Sequence, residues 1–310
     1  MSQNDSFPSG DGTVDHRQYP NETIRLLLER SSCRSFYTRK IPEDVLLTVL
    51  EAGRRAATGG NLQPYSIIRI EASDTKERLC RLCENQTFIA TAPVNLLFCI
   101  DWHRLQRWSE LELAPFAATS SFRHFWISFQ DTIIAAQNIC TAADAVGLGS
   151  VYVGTVLECF PELKQMFELP QGVFPVVLLS LGYPKDRPSP RPKLEVDVFT
   201  HREKYHIPTD AALLQAYRRK YPSEGIEATA ERVAELKRVC LRVHGKEFAQ
   251  RCLERIEKTG RINIAQRYFG LHYVADEIAG RNEGFLQTMR DFGFDWFQKY
   301  DPGTPDDMAG

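Results

Sequence analysis

The chain has 310 residues, of which 43% are hydrophobic and 25% charged, and carries a formal net charge of −2. This composition suits a folded soluble protein with material for one large core or two modest ones. The near-neutral balance gives no reason to expect nucleic acid or an acidic membrane as partner, and no apolar run approaches the ~20 residues needed to span a bilayer.

Residues 1–20 are polar and rich in Ser, Asp and Gly, without the basic-then-apolar order of a signal peptide. They read as a disordered tail on a cytoplasmic protein. Asn21 can then cap a helix running through Ile24, Leu27 and Leu28, after which the polar segment Arg30 to Lys40 follows. Pro42 suits a first helical position, and Val45, Leu46, Val49 and Leu50 form the apolar stripe of a second helix. The loop through Thr58, Gly59, Gly60 and Asn61 leads into a strand, Tyr65 to Glu71, and a third helix is expected over Thr75 to Glu84. Val94 to Ile100 is almost continuously apolar, the mark of a strand buried on both faces.

Asp101 to Arg123 shows no period and is expected to be irregular; the aromatic-rich span Asp101 to Phe125 is a candidate pocket cover. Phe122 to Ala143 then carries apolar residues at helical spacing, with enough alanines for close packing, and Gly147 ends that helix. A short strand over Ser150 to Val153, a helix near Pro161 to Phe167 and a buried strand over Val176 to Leu181 complete the series. A proline-rich stretch, Pro184 to Pro192, precedes a region expected to be helical throughout: Asp210 to Lys220, Ile226 to His244, Lys246 to Lys258 and weaker segments to Phe297. Asp301 to Gly310 reads as a disordered end.

Several chemistries find no support. Neither a G-x-x-x-x-G-K-[ST] nor a G-x-G-x-x-G between strand and helix occurs, and there is no G-x-S-x-G for a serine hydrolase. No His pair has metal-ligand spacing on one helix. Eight cysteines scattered along a long chain suit free thiols in a reducing compartment. The lone C-x-x-C of Cys80 and Cys83 has no second pair or nearby His, so both read as small buried residues on one helix face. What remains is the run Arg30-Ser31-Ser32-Cys33-Arg34, where two guanidiniums and two hydroxyls could fork around one phosphate. Alone, that run is equally a basic helix end favoured by the helix dipole.

Read in order, Arg30 to Phe36, Ile41-Pro42-Glu43, Ala56 to Tyr65, Asn85 to Phe88, the helix from Phe129 to Gly149, Leu181 to Pro184 and His201 to Tyr205 resemble the FMN-dependent nitroreductase family. The resemblance covers about Ile24 to Tyr205. It implies an α+β fold, with a central mixed β-sheet flanked by helices, to which this chain adds an all-helical C-terminal region. The expected divisions are a tail over 1–20, an FMN-binding domain over 21–207 and a helical extension over 208–310.

The resemblance also implies residue roles. Arg30, Ser31, Ser32 and Arg34 would bind the FMN phosphate and ribityl chain, with Arg202 reaching the same phosphate beside His201. Asn85 would hydrogen-bond the flavin, and Tyr152, Val153, Gly154 and Thr155 would lie against its ring. Ala57, Thr58, Gly59 and Asn61, with Gln63 close by, match a loop contributed by the second subunit of a homodimer. Two departures stand out: Ala57-Thr58-Gly59 replaces the family's Pro-Ser-Ser, and Gly154 stands where many members have an acid. The implied activity is NADH- or NADPH-dependent reduction of an electron-poor acceptor through bound FMN, with no amino-acid nucleophile and no metal. Two alternatives are a specialised branch such as reductive dehalogenation or flavin fragmentation, and a non-catalytic flavin-binding protein acting through its helical extension.

Overall fold

The computed structural model describes residues 19–223 and 225–301. The expected tail, apart from Tyr19 and Pro20, and the chain end after Asp301 lie outside the described residues. The chain forms two compact units, one running to Pro190 and rejoined from Gln298, the other spanning Arg191–Phe297. The division falls within the proline-rich stretch, ahead of the boundary expected after residue 207.

In the first unit, Asn21 caps α1 (Glu22–Glu29), its carboxamide oxygen accepting from Ile24 N–H at 3.0 Å. Pro42 takes the N-cap position itself, and α2 (Glu43–Arg54) follows. Then come β1 (Tyr65–Ile70), α3 (Ser73–Leu82), α4 (Thr87–Thr91) and β2 (Val94–Asp101). Every residue of β2 is buried, as its unbroken apolar run predicts. The segment expected to be irregular instead holds α5 (His103–Leu111) and a single tight turn over Ala118–Ser120. Leu105, Trp108 and Leu111 of α5 lie at helical spacing, but only Leu105 is buried, so the helix is largely solvated. The long α6 (Phe122–Ala145), β3 (Gly149–Val153), α7 (Phe160–Met166) and β4 (Val173–Gly182) complete the unit.

The four strands form one sheet in the order β1-β2-β4-β3. Where a mixed sheet was expected, each of the three pairings is antiparallel. The fold is α+β. Leu46 and Val49 of α2, and Ala136, Ile139, Cys140 and Ala143 of α6, pack on Leu96, Phe98, Leu179 and Leu181 of β2 and β4. The small side chains on α6 let it lie close against the sheet, which makes it the central helix of the unit.

The second unit contains α8 (Val196–Phe199), α9 (Asp210–Lys220), α10 (Ala230–His244), α11 (Lys246–Thr259), α12 (Ile264–Arg267), α13 (Ala275–Gly280) and α14 (Asn282–Asp291). It is not all-helical. Ile226–Glu227 and Arg261–Ile262 form a short antiparallel ribbon, so the helix expected from Ile226 begins only after Thr229. The Thr229 hydroxyl accepts from Arg232 N–H and fixes that start.

Candidate functional site

Arg30 stands at the C-cap of α1, and the chain then runs along β3, Cys33 N–H donating to Ser150 O at 2.9 Å. Gly149 permits this approach, since a Cβ there would lie 2.8 Å from Cys33 Cβ. The Arg30 guanidinium turns inward rather than toward solvent. Its Nη2 donates to Ser150 Oγ at 3.1 Å and its Nε to Cys140 Sγ at 3.0 Å, while Nε also lies 3.1 Å from Asp144 Oδ2. Asp144 is buried at the end of α6 and is also paired with Arg187, which donates to Leu148 O. Even with two guanidiniums beside it, burial holds the Asp144 carboxyl above its ordinary range. Ser31 and Ser32 are half-buried. Arg34 is exposed, with no side-chain partner among the described residues. Of the two arginines, then, Arg34 is the one presented to solvent.

At the far end of β3, Tyr152 is half-buried, its hydroxyl donating to Gln137 Oε1 at 3.4 Å, and burial pushes its phenol well above the usual range. Val153 is buried and Gly154 exposed, and a Cβ added at Gly154 would meet nothing within 4 Å. Thr155 Oγ1 accepts from Gln86 Nε2 at 2.8 Å, which ties the turn after α3 to the end of β3. Asn85, the amide expected to serve the site, is exposed beside it with φ +55°, while Gln86 makes the bond. Beneath this junction the Cys83 and Cys159 thiols share a hydrogen bond, which lowers Cys83 and raises Cys159 from their ordinary values. Cys80 and Cys83 are both buried, as expected, but the partner of Cys83 is Cys159.

The loop of Ala57, Thr58, Gly59, Asn61 and Gln63 is fastened elsewhere. Gly59 N–H donates to the Asp131 carboxylate of α6 at 3.0 and 3.1 Å, and burial raises the Asp131 carboxyl. Gln63 N–H donates to Thr58 Oγ1 at 3.2 Å, and Arg104 of α5 donates to the carbonyls of Gln63 and Tyr65 at 2.8 and 2.9 Å. Ala57 and Asn61 are exposed. Asp131 and Asp144 are thirteen residues apart on one helix, a rise of about 20 Å. One chain therefore brings Arg30 to Arg34, Asn85 and Tyr152 to Thr155 together along β3, and keeps the Ala57 to Gln63 loop against the middle of α6.

His201 and Arg202 belong to the second unit. His201 Nδ1 accepts from His206 N–H at 3.4 Å and its ring lies 4.3 Å from that of Tyr205; Arg202 is exposed, with no side-chain partner among the described residues.

Seven non-glycine residues of the described chain have positive φ, and Asn61, Gln63, Glu84, Asn85 and Glu203 lie in or beside these segments. Each such residue costs of order 1–2 kcal/mol, and held strain of this kind concentrates at ligand sites. Ser150, Gln86, Asp131 and Asp144 were not foreseen as contributors. Each is separated in sequence from the residue it holds, so no local pattern announced it. No group of three His, Cys, Asp or Glu residues able to hold a metal occurs among the described residues, and none of their helices is long and apolar enough to cross a membrane. The β3 wall thus offers a free guanidinium, two hydroxyls and an open glycine edge, an arrangement for binding a flat anionic molecule rather than for side-chain nucleophilic chemistry.

Comparison with known proteins places this α+β architecture. Residues 27–183 match the nitroreductase family model, and the chain belongs to that family. Over 195 residues it is 31% identical to an oxygen-insensitive NADPH nitroreductase of Salmonella typhimurium, covering 63% of this chain and 79% of that protein. Over 186 residues it is 31% identical to an FMN reductase (NAD(P)H) of Bacillus subtilis, covering 60% and 75%. Among solved structures, NfrA2 of B. megaterium superposes with a TM-score of 0.67 at 25% identity, covering 90% of this chain and all of that one. A chain from Bacteroides fragilis gives a TM-score of 0.72 at 26% identity, covering 87% and 98%. Coverage of this extent exceeds what residues 1–207 can supply, so the structural likeness continues into the C-terminal helices.

Proposed function

We propose that this chain is an NAD(P)H-dependent FMN oxidoreductase that reduces a small electron-poor acceptor such as a nitroaromatic, a quinone or a flavin. The observation that carries the reading is the convergence along β3 of an unpaired Arg34, the Ser31 and Ser32 hydroxyls, the open edge at Gly154 and the Gln86–Thr155 bond. FMN, when bound, supplies the hydride-accepting centre, one pocket serving the nicotinamide and then the acceptor.

The residues' own parts follow from their surroundings. Arg34, Ser31 and Ser32 hold the phosphate and ribityl chain. Arg30, locked to Asp144, Cys140 and Ser150, positions that segment against β3. Tyr152, Val153, Gly154 and Thr155 form the face for the ring, and Gly154 leaves it room. Asn85 and Gln86 present amides at its edge.

Ala57, Thr58, Gly59, Asn61 and Gln63 complete the site from a second copy of the chain. The face for that copy is the N-terminal half of α6, where Phe122, Trp126 and Phe129 form an exposed ladder with ring centroids 5.8 and 6.5 Å apart. A ladder of this kind fits a homodimer interface. It lies on the same helix as Asp131, which anchors the loop. The eight free cysteines suit a reducing cytoplasm.

The visible spectrum of the purified protein, with mass identification of the released flavin, tests the central claim. Yellow protein containing FMN, bleached by NADH or NADPH and restored by a nitroaromatic or quinone, is the expected result. Colourless protein that takes up no FMN would sink the reading. Bound flavin that neither nucleotide reduces would leave only the binding-protein alternative.

A further inference from the structure

The second unit has a small core of its own, formed by Leu236, Cys240, Ala249, Ile256 and Ile262. Gly245, with φ +83°, joins α10 to α11 as a one-residue hinge, so the two helices diverge from that point. The facing stripes have helical spacing: Leu236, Val239, Cys240 and Val243 on α10, and Phe248 and Cys252 on α11. Between them lies a cavity of about 690 Å³, within the range of small-molecule sites.

The third side is a π-helical turn, Tyr268–His272, which contributes Phe269 and Gly270 to the lining. A Cβ at Gly270 would lie 2.2 Å from Leu236 Cδ1, so the turn closes tightly on α10 at that point. Such turns are rare and concentrate at functional sites.

The charge of the lining is one-sided. His244, Arg251 and Arg255 all border the cavity, and no Asp or Glu does. Neither Arg251 nor Arg255 has a side-chain hydrogen bond or ion pair among the described residues, although Glu247 and Glu254 stand four and three residues from Arg251 on the same helix. Two free guanidiniums one helical turn apart, at the mouth of an apolar wedge, fit a carboxylate head on an apolar body. Burying that body in the wedge would contribute most of the affinity, and the arginines would select the head group.

We propose that the wedge between α10 and α11 is a binding site for an amphipathic organic anion, an apolar chain or ring carrying a carboxylate. The site is independent of the flavin reading, because it lies wholly within the second unit and uses none of the residues assigned to FMN.

The test is calorimetric titration of the full-length protein with dodecanoate, and with dodecanol and dodecyl phosphate as head-group controls. One saturable dodecanoate site per chain is expected, with dodecanol at least tenfold weaker. Arg251→Gln/Arg255→Gln should weaken dodecanoate at least tenfold and leave dodecanol unchanged. Ala265→Trp, which fills the wedge from an exposed position, should abolish both. Flavin content and nicotinamide oxidation should be unaltered in all variants, which separates failure here from failure of the enzyme assignment. Tighter binding of dodecyl phosphate than of dodecanoate would replace the carboxylate with a phosphate ester. Absence of saturable dodecanoate binding, or binding unchanged by both variants, would overturn the site. So would an arginine variant that alters only the sedimentation of the protein, since the wedge would then be covered by a second copy.

Discussion

The two halves of the candidate flavin site are built on the same helix by opposite means. At the C-terminal end of α6, Asp144, Cys140 and the neighbouring Ser150 draw Arg30 inward and stitch the Arg30 to Arg34 segment to β3. Nearer its middle, Asp131 holds the Ala57 to Gln63 loop by the Gly59 N–H, beside exposed aromatic rings. The first half is fastened by buried charge and is complete within one chain. The second is tethered through one backbone N–H and otherwise open. The contrast separates the two arginines: Arg30 is drawn inward to Asp144, Cys140 and Ser150, while Arg34 is exposed, and the proposed function assigns the phosphate to Arg34.

The comparison can be broken most severely at Asp144. Asp144→Ala leaves Arg30 largely buried without a counter-charge and should cost about 3–5 kcal/mol in chemical denaturation, with loss of flavin. A cost under about 1 kcal/mol would mean that the buried end is not what fastens the wall. Next comes Trp126→Glu, which places a charge in the aromatic ladder. At an interface centre it should weaken self-association by about 2–4 kcal/mol, measured by sedimentation, and flavin retention should fall with it. Unchanged sedimentation would exclude this face as the dimer contact.

Arg34→Gln should leave the melting temperature unmoved and weaken FMN binding by about 1.5–3 kcal/mol, roughly tenfold or more, in titration of the apoprotein. If it proved as destabilising as Arg30→Gln, the division of labour between the two arginines would fall. The smallest effect is expected from Asp131→Asn, which keeps an acceptor for Gly59 N–H. Because the folded-state carboxyl holds its proton more tightly than in the unfolded chain, its contribution to stability is present below the ordinary aspartate range and is lost as pH rises through the raised value. The variant should therefore show a shallower decline across that window, by under about 1 kcal/mol. An identical pH profile would show that Asp131 does not titrate abnormally.

Much of this was legible because it depends on local chemistry. Asn21 as a cap, the buried β2 run, the stripes of α2 and α6 and the strong elements of the second unit follow from short-range pattern, which the backbone obeys wherever burial agrees with it. The ordered motifs from Arg30 to Tyr205 were enough to name the family. The structure alone decided which of these side chains are tied inward and which stay exposed, since that depends on partners far away in sequence. Arg30 meets Ser150 across 120 positions, and Gly59 meets Asp131 across 72. It also decided that Gln86 joins Thr155, that a solvated stretch after β2 forms α5, and that Ile226 pairs as a strand. In each case a long-range contact, or solvent replacing one, outweighed the local signal.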